Sequence, residues 1–157
     1  MTVITVAALE GRLSLEQRRK LSQTLTDAVL VPEVGQAAPA ARIGFQVHFV
    51  ERARDQVAIG GVLVEALPID VMLVDIAVME ASWLREVRAQ VIANVYSALT
   101  DALEVAEPAP GWWVNFRVID EGSWGSRGTT LSVLSLLDSG VFTPERAAAI
   151  RADVSSD

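Results

Sequence analysis

The sequence predicts an α/β (α+β) fold in which two fused β-α-β repeats form one four-stranded sheet with two helices on one face. Segments rich in β-branched residues alternate with helical patterns in the order β-α-β-β-α-β. Two short sequences of the first half recur in the second half. LTDA at Leu25–Ala28 recurs at 99–102, and VHF at Val47–Phe49 recurs as VNF at 114–116. The offsets are 74 and 67 residues, and each match joins the same kind of predicted element.

The first repeat begins with a strand and a capped helix. Thr2–Ala8 is rich in β-branched residues and predicts a buried strand. Ser14 supplies a helix cap, and the predicted helix ends near Val31 because Pro32 disfavours a helical residue before it. Residues 32–42 have the composition of a loop. Alternating apolar residues then predict a strand at Ile43–Glu51. A glycine pair predicts a tight hairpin at 57–62.

The second repeat follows the same order. Asp70–Val78 predicts the third strand, and Ser82 is the predicted cap of a long helix that ends at about Leu103. A proline-containing segment precedes the fourth strand, Gly111–Ile119. A glycine-rich turn is predicted at 122–128, followed by a short strand or turn of helix at 130–137. A short last helix is predicted at 143–152.

The composition of the 157 residues narrows the function classes. A formal net charge of −7 argues against a nucleic-acid partner, because phosphate binding needs a basic face. Cysteine is absent, and one histidine without ligand spacing argues against a metal site, so we expect neither metal nor cofactor. No apolar run approaches the roughly 20 residues that span a bilayer, and the start has no basic signal region. We therefore expect a cytoplasmic protein without a membrane partner.

The predicted sheet has one bare face, which has a consequence for assembly. The chain length fits a single domain over 1–157, with repeat one at about 2–66 and repeat two at about 67–138. If both helices cover one face of the sheet, the other face must be covered as well. Because 51% of the residues are hydrophobic, we expect identical subunits to cover that face.

Three stretches of the chain are similar to proteins of one family. Residues 2–17 (TVITVAALEGRLSLEQ) resemble the start of 4-oxalocrotonate tautomerase. FQVHFVE at 45–51, followed by AIGG at 58–61, resembles cis-3-chloroacrylic acid dehalogenase. WVNF at 113–116, followed by WGSRG at 124–128, resembles the second half of that enzyme and of malonate semialdehyde decarboxylase. Over about residues 2–130 the chain therefore resembles a fused two-repeat member of the tautomerase superfamily.

The resemblance implies an active site built around an N-terminal proline. In the family, loss of the initiator methionine makes this proline residue one, and its amine, held neutral by apolar surroundings, is the general base or acid. Arginines of the family bind the carboxylate of a small 2-oxo or unsaturated acid, and three copies form a homotrimer. This chain has Thr2 in place of the proline. Thr2 is thus a catalytic candidate only through an α-amine exposed by loss of Met1.

Other family positions are also changed. Arg12, in the LEGR turn, matches a carboxylate-binding arginine of the small tautomerases. Gln46 occupies the place of their second arginine, although the dehalogenases also have glutamine there. Val29 and Asn115 stand where the dehalogenase has a catalytic histidine and a catalytic tyrosine.

Whether the second repeat carries the arginine pair of the dehalogenase depends on how this chain is aligned with the family. Aligned by the strand, the position falls on Met79–Ala81 and the pair is lost, whereas aligned by the helix Arg85 and Arg88 provide it. We prefer the strand alignment, because Ser82 is a better helix cap than Ala89. Four more residues are candidates for substrate binding, and each could instead have a structural role in the core, at the surface or at an interface. They are His48, Arg117, Trp124 and Arg127.

Three functions are consistent with this sequence. The first is a non-catalytic or repurposed protein that keeps the fold and lacks the proline-dependent tautomerase, dehalogenase or decarboxylase activity. The second is an active isomerase or lyase that acts on a small 2-oxo or unsaturated carboxylic acid with the Thr2 α-amine and Arg12. The third is an oligomer-forming domain without a small-molecule ligand. We expect a homotrimer in all three cases.

Overall fold

A mixed four-stranded sheet forms the centre of the computed structural model, which describes residues 1–154. In chain order the elements are β1 (Thr2–Leu9), α1 (Leu15–Val34), β2 (Phe45–Arg52), β3 (Ala58–Ile59), β4 (Val62–Leu63), β5 (Val71–Met79), α2 (Arg85–Leu103), β6 (Gly111–Ile119), β7 (Trp124–Ser126), β8 (Thr129–Leu131), α3 (Val133–Leu137) and α4 (Pro144–Val154). The sheet order is β2-β1-β5-β6, and the short strands pair as two hairpins.

The strand directions confirm the predicted pair of β-α-β units. β1 runs parallel to β2, and β5 runs parallel to β6. The two units join through β1 and β5, which pair antiparallel, with Thr5 opposite Asp75 near the middle. The start of β1 therefore lies beside the end of β5, and the end of β1 beside the start of β5.

Apolar residues from one face of the sheet and from α1 and α2 form the core. Alternate residues of β1, such as Ile4 and Val6, are fully buried against the helices. The buried stripes of the two helices coincide after a shift of 70 residues, at Leu21/Val91, Leu25/Val95, Ala28/Ala98 and Val29/Leu99. The LTDA match, with its offset of 74, was therefore wrong by four residues, which is about one helical turn. A slip of one turn keeps the apolar face, so the sequence match could not reveal it.

The strand match, with its offset of 67, agrees with the sheet register. Thr5 pairs with His48 on one side, and Asp75 pairs with Asn115 on the other. Since Thr5 and Asp75 occupy equivalent positions in the two repeats, His48 and Asn115 are equivalent as well.

Helix α1 continues past the predicted end at Val31 and includes Pro32. A proline inside a helix has no N–H to donate to the carbonyl oxygen four residues earlier. Here that oxygen, on Ala28, accepts a hydrogen bond at 3.3 Å from the side-chain amide of Asn94 on α2. The helix ends at Val34 and is capped by Gly35, which has a φ of 84° and donates its N–H to the Val31 carbonyl.

The predicted Ser82 cap of α2 is wrong. Ser82 is buried with a φ of 52°, in the turn that precedes the helix. The helix begins at Arg85, and the N-cap residue Leu84 makes no side-chain capping bond. The turn is held instead by Glu80, whose carboxylate accepts the N–H groups of Ala81 and Ser82 at 2.9 and 2.8 Å.

The other face of the sheet carries no helix. We call this surface the open face, and it consists of the outward-pointing residues of the four strands: Gln46, His48 and Val50; Val3, Thr5 and Ala7; Leu73, Asp75 and Ala77; Trp113, Asn115 and Arg117. Its apolar members include Trp113, which is 61% exposed. No helix of the described residues is long and apolar enough to cross a bilayer.

Candidate functional site

The start of β1 lies against a buried carboxylic acid. Glu33, in the last turn of α1, is 4% exposed. The α-amine of Met1 lies 3.5 Å from its Oε1, and the hydroxyl of Thr2 donates to its Oε2 at 3.5 Å. Burial raises the pKa of Glu33, while the Met1 amine, the Thr2 hydroxyl and the Arg146 charge act in the opposite direction. An amine, a hydroxyl and an acid are thus in contact at the start of β1.

A cavity of about 200 Å³ opens beside Met1 and Glu33, and we call it the N-terminal pocket. Its walls come from the end of α1, the segment before β2 and the turn that follows α3. They are mainly apolar and include Ile43, Phe45 and Phe142. Among the described residues that line the pocket, none is an arginine, lysine or histidine. The pocket therefore has no side chain that would neutralise a substrate carboxylate.

Arg146, on α4, lies nearby but is directed at main-chain oxygens. It donates to the carbonyls of Glu33 at 3.0 Å and Ala81 at 2.7 Å, and it approaches that of Ser82 at 3.4 Å. Burial lowers the pKa of Arg146, and the charge of Glu33 raises it. Arg146 thus joins the end of α1 to the turn before α2.

Arg12 lies at the far end of β1, roughly 20 Å from Thr2 at the usual rise of a strand. Its Nε donates to Oδ2 of Asp70 at 2.8 Å, and its guanidinium stands 5.7 Å from the ring centre of Trp112. The indole Nε1 of Trp112 donates to the same carboxylate oxygen at 3.1 Å. Within one chain, therefore, Arg12 and Thr2 do not share a site.

Four further candidates lie on the open face, two on each of its outer strands. His48 Nε2 is 2.9 Å from Oε1 of Gln46 on β2, and Asn115 on β6 donates to Oδ1 of Asp75 at 3.1 Å. Arg117 follows Asn115 on the same face of β6. Three strand spacings, about 14 Å, separate the two groups, so they form a polar surface and not one site.

The remaining candidates lie elsewhere. Trp124 is half-buried and packs against the core, and Arg127 is exposed in the β7–β8 turn with a φ of 52°. Arg85 and Arg88 are exposed in the first turn of α2, where they line a shallow groove together with Asn115. No group of three or more His, Cys, Asp or Glu side chains within residues 1–154 could hold a metal ion.

Sequence reasoning missed Glu33, Asp70 and Arg146. Glu33 was hidden because Pro32 predicted the end of the helix one turn too early. The signal that could have found it is Gly35, since glycine is the preferred residue just after a helix. Asp70 was assigned to a strand, and only the antiparallel pairing of β1 with β5 brings it to Arg12, 58 residues away.

Comparisons with solved structures identify the fold. The chain is similar to N1, a member of the cis-3-chloroacrylic acid dehalogenase family, with 18% identity, 99% of each chain covered and a TM-score of 0.69. It is also similar to the fused 4-OT symmetric trimer, with 22% identity, 85% of this chain and 98% of that chain covered, and a TM-score of 0.66. A third similar structure is Pt0534 inactivated by 2-oxo-3-pentynoate, with 20% identity, coverage of 82% and 95%, and a TM-score of 0.64.

No family model and no curated protein matches the sequence. Several structural neighbours are nevertheless fused 4-OT proteins or a member of the cis-3-chloroacrylic acid dehalogenase family, the proteins that stretches of the sequence resemble. With two β-α-β repeats in one chain and both helices on one face of the sheet, this protein has the fused two-repeat fold of the tautomerase superfamily.

Proposed function

We propose that this protein is a cytoplasmic homotrimer that keeps the tautomerase fold without the proline-dependent tautomerase, dehalogenase or decarboxylase activity. The observation that carries this proposal is the contact at the start of β1. Thr2 replaces the proline, and the Met1 amine lies 3.5 Å from the buried carboxyl of Glu33. The family's mechanism needs a neutral amine in apolar surroundings, whereas this amine faces an acid.

The charge of the N-terminal pocket supports the same conclusion. A small carboxylic acid entering the pocket would meet Glu33, and no lining side chain among the described residues carries a positive charge. The Met1 amine, which also lines the pocket, is already paired with Glu33, and Arg146 donates to main-chain oxygens. A bound anion would therefore lose its hydration without gaining an unpaired cation.

The homotrimer is supported by the sheet. The open face is bare in one chain, and the outer strands β2 and β6 each have an unpaired edge. Because the two edges differ, pairing β2 of one copy with β6 of the next repeats one head-to-tail contact, which forms a closed ring when three copies are related by a threefold axis. The fused 4-OT to which the chain is similar is a symmetric trimer. Sedimentation at micromolar concentration should give the mass of three chains, and a monomer would contradict the proposal.

The loss of activity is tested with an enol substrate such as phenylenolpyruvate, after the intact mass has shown whether Met1 is present. We expect ketonisation at the uncatalysed rate for the wild-type protein and for Arg12→Ala. Clear turnover by the wild-type protein that Arg12→Ala abolishes would overturn the proposal.

A second candidate is an active isomerase or lyase that uses an α-amine at Thr2. The observation that favours it is the buried carboxyl of Glu33, which lines an apolar pocket and accepts from the Thr2 hydroxyl at 3.5 Å. A carboxyl this close to Thr2 would be placed to exchange a proton with an α-amine there. This version needs a protein that has lost Met1, which the intact mass decides. It also requires that turnover falls at least tenfold in Glu33→Gln, while the exposed control Glu107→Gln keeps it.

A further inference from the structure

The outward-pointing residues of the open face form three rows across the sheet, and the rows differ in polarity. The rows are Gln46, Val3, Ala77 and Arg117; His48, Thr5, Asp75 and Asn115; and Val50, Ala7, Leu73 and Trp113. The last row is apolar, the middle row is polar, and the first row is apolar between two polar ends. Gln46 and Arg117 therefore lie on opposite edges of the sheet, at the same end of its strands.

A threefold axis determines how these rows meet in the homotrimer proposed above. A rotation of 120° keeps the paired edge strands aligned only when the strands run roughly along the axis, and it then preserves their directions. Within one chain β2 runs parallel to β1, whereas β6 runs antiparallel to it. β2 of one copy therefore pairs antiparallel with β6 of the next, which brings the Gln46 end of β2 to the Arg117 end of β6.

The polarity of the rows agrees with this antiparallel contact. The Val50 end of β2 meets the Trp113 end of β6, so the apolar row continues from copy to copy. The contact also covers Trp113, which is 61% exposed in the single chain. A parallel contact would instead place Arg117 against Val50. The ring thus has one apolar end and one end at which Gln46 and Arg117 of neighbouring copies meet.

Arg117 has the length to reach the threefold axis. The helices cover the other face of each sheet, so the open faces point inward. Three sheets of four strands make a ring of twelve strands, whose radius is roughly 9–12 Å at the usual strand spacing and tilt. An extended arginine side chain spans most of this distance. The three guanidinium groups, one from each copy, therefore converge on the axis.

No acid in the described part of the chain neutralises Arg117. It is exposed and makes no hydrogen bond or ion pair within residues 1–154. The acid of the open face, Asp75, accepts from Asn115 at 3.1 Å. Asp75 lies one row away, about 7 Å along the strands. Asp120, directly after β6, falls in register with the core-facing residues of that strand. Three unpaired like charges on one axis repel one another, and a bound anion relieves this repulsion.

We propose that the homotrimer binds one inorganic oxyanion, such as phosphate, on its threefold axis between the three Arg117 side chains and the Gln46 amides beside them. This inference rests on the proposed homotrimer, because a single chain does not contain the site. The planar guanidinium group suits charge-assisted hydrogen bonds to phosphate oxygens. A tetrahedral oxyanion can present three equivalent oxygens to three equivalent subunits. The site does not include Glu33 or the Met1 amine, so it is separate from the N-terminal pocket.

Equilibrium dialysis against radiolabelled phosphate measures both the affinity and the stoichiometry. The ionic strength is held constant, because salt screens exposed charges. Sedimentation in the same buffer first gives the mass of the assembly. We expect saturable binding of one phosphate per three chains, since a site on the axis is shared by three copies. Sulfate should compete with phosphate, and acetate, which lacks a third oxygen, should compete at least tenfold more weakly than sulfate.

Three variants test the role of the arginine. Arg117→Gln should keep the trimer and weaken phosphate binding at least tenfold. Arg117→Lys keeps the charge without the planar fork and should give a Kd between those of the wild-type protein and Arg117→Gln. Arg127→Gln is the matched control and should leave the Kd unchanged, because Arg127 is also exposed but lies in the β7–β8 turn.

The outcomes distinguish the site from the assembly on which it depends. A monomer in sedimentation would contradict the proposed homotrimer and the site together. A trimer that binds no phosphate, binds one phosphate per chain, or keeps its affinity in Arg117→Gln would overturn the site alone. If Arg117→Gln loses the trimer, an unchanged Kd in Arg117→Lys would assign the arginine to the subunit contact and would also overturn the proposal.

Discussion

Replacing Glu33 with glutamine should change how the stability of the protein depends on pH. Burial raises the pKa of Glu33 above its ordinary value of 4.5. Between pH 4.5 and the raised pKa, the folded chain therefore keeps a proton that the unfolded chain has released. Stability attributable to this carboxyl falls as the pH rises through that window and is constant above it.

The size of the effect follows from the same linkage. Each pH unit within the window removes up to about 1.4 kcal/mol of stability from the wild-type protein, and the glutamine variant has no such titration. The difference in unfolding free energy, Glu33→Gln minus wild type, should therefore rise with pH from about 4.5 and then level off. The contacts with the Met1 amine and Thr2 reduce the rise, because they stabilise the ionised carboxyl.

Urea denaturation at about pH 4.5, 5.5, 6.5 and 7.5 measures this difference. All samples have one protein concentration, because the apparent stability of the proposed homotrimer would depend on concentration. Glu107→Gln is the matched control, since Glu107 is exposed and its difference should stay flat over the same range. A Glu33→Gln difference that is constant with pH would show that Glu33 titrates like an exposed carboxyl, and one that falls as the pH rises would show that its pKa is lowered in the folded chain. Either result would refute the reasoning.

Three further substitutions test the backbone. Gly111→Ala should destabilise the protein by about 1–3 kcal/mol, because its Cβ overlaps the Asp70 carbonyl. The control Gly125→Ala has open space around its Cβ and should change stability by no more than about 0.5 kcal/mol. Equal losses of stability in urea denaturation would contradict this account. Ser82→Gly should stabilise by about 1 kcal/mol, because glycine adopts the positive φ without strain, and a lower Tm would count against that account. Asn94→Leu should cost about 1 kcal/mol by removing the donor to the carbonyl that the helix proline leaves free, and an unchanged midpoint would contradict that role.

The sequence carried enough information for the sheet and for the faces of its strands. Alternation placed Gln46 and His48 on one face of β2, and the VHF and VNF match gave the correct equivalence of His48 with Asn115. These patterns are local, because the direction of a side chain in a strand depends only on its position along that strand.

The errors came from interactions that local patterns do not contain. Pro32 predicts a helix end, yet a side chain from another helix compensates for its missing donor. Ser82 predicts a helix cap, yet Glu80 already binds the main-chain amides of that turn. The partner of Arg12 could not be predicted, because it depends on an antiparallel pairing between repeats that sequence periodicity does not specify.

The antiparallel join of β1 with β5 places the Met1–Glu33 contact and the Arg12–Asp70 ion pair at opposite ends of the sheet. With roughly 20 Å between them within one chain, substitutions at one end lie beyond the range at which their effects on stability interact with those at the other. Changes at the two ends should therefore be additive. Duplication of the β-α-β unit thus gives one chain two polar contacts of different chemistry that sequence change can alter separately.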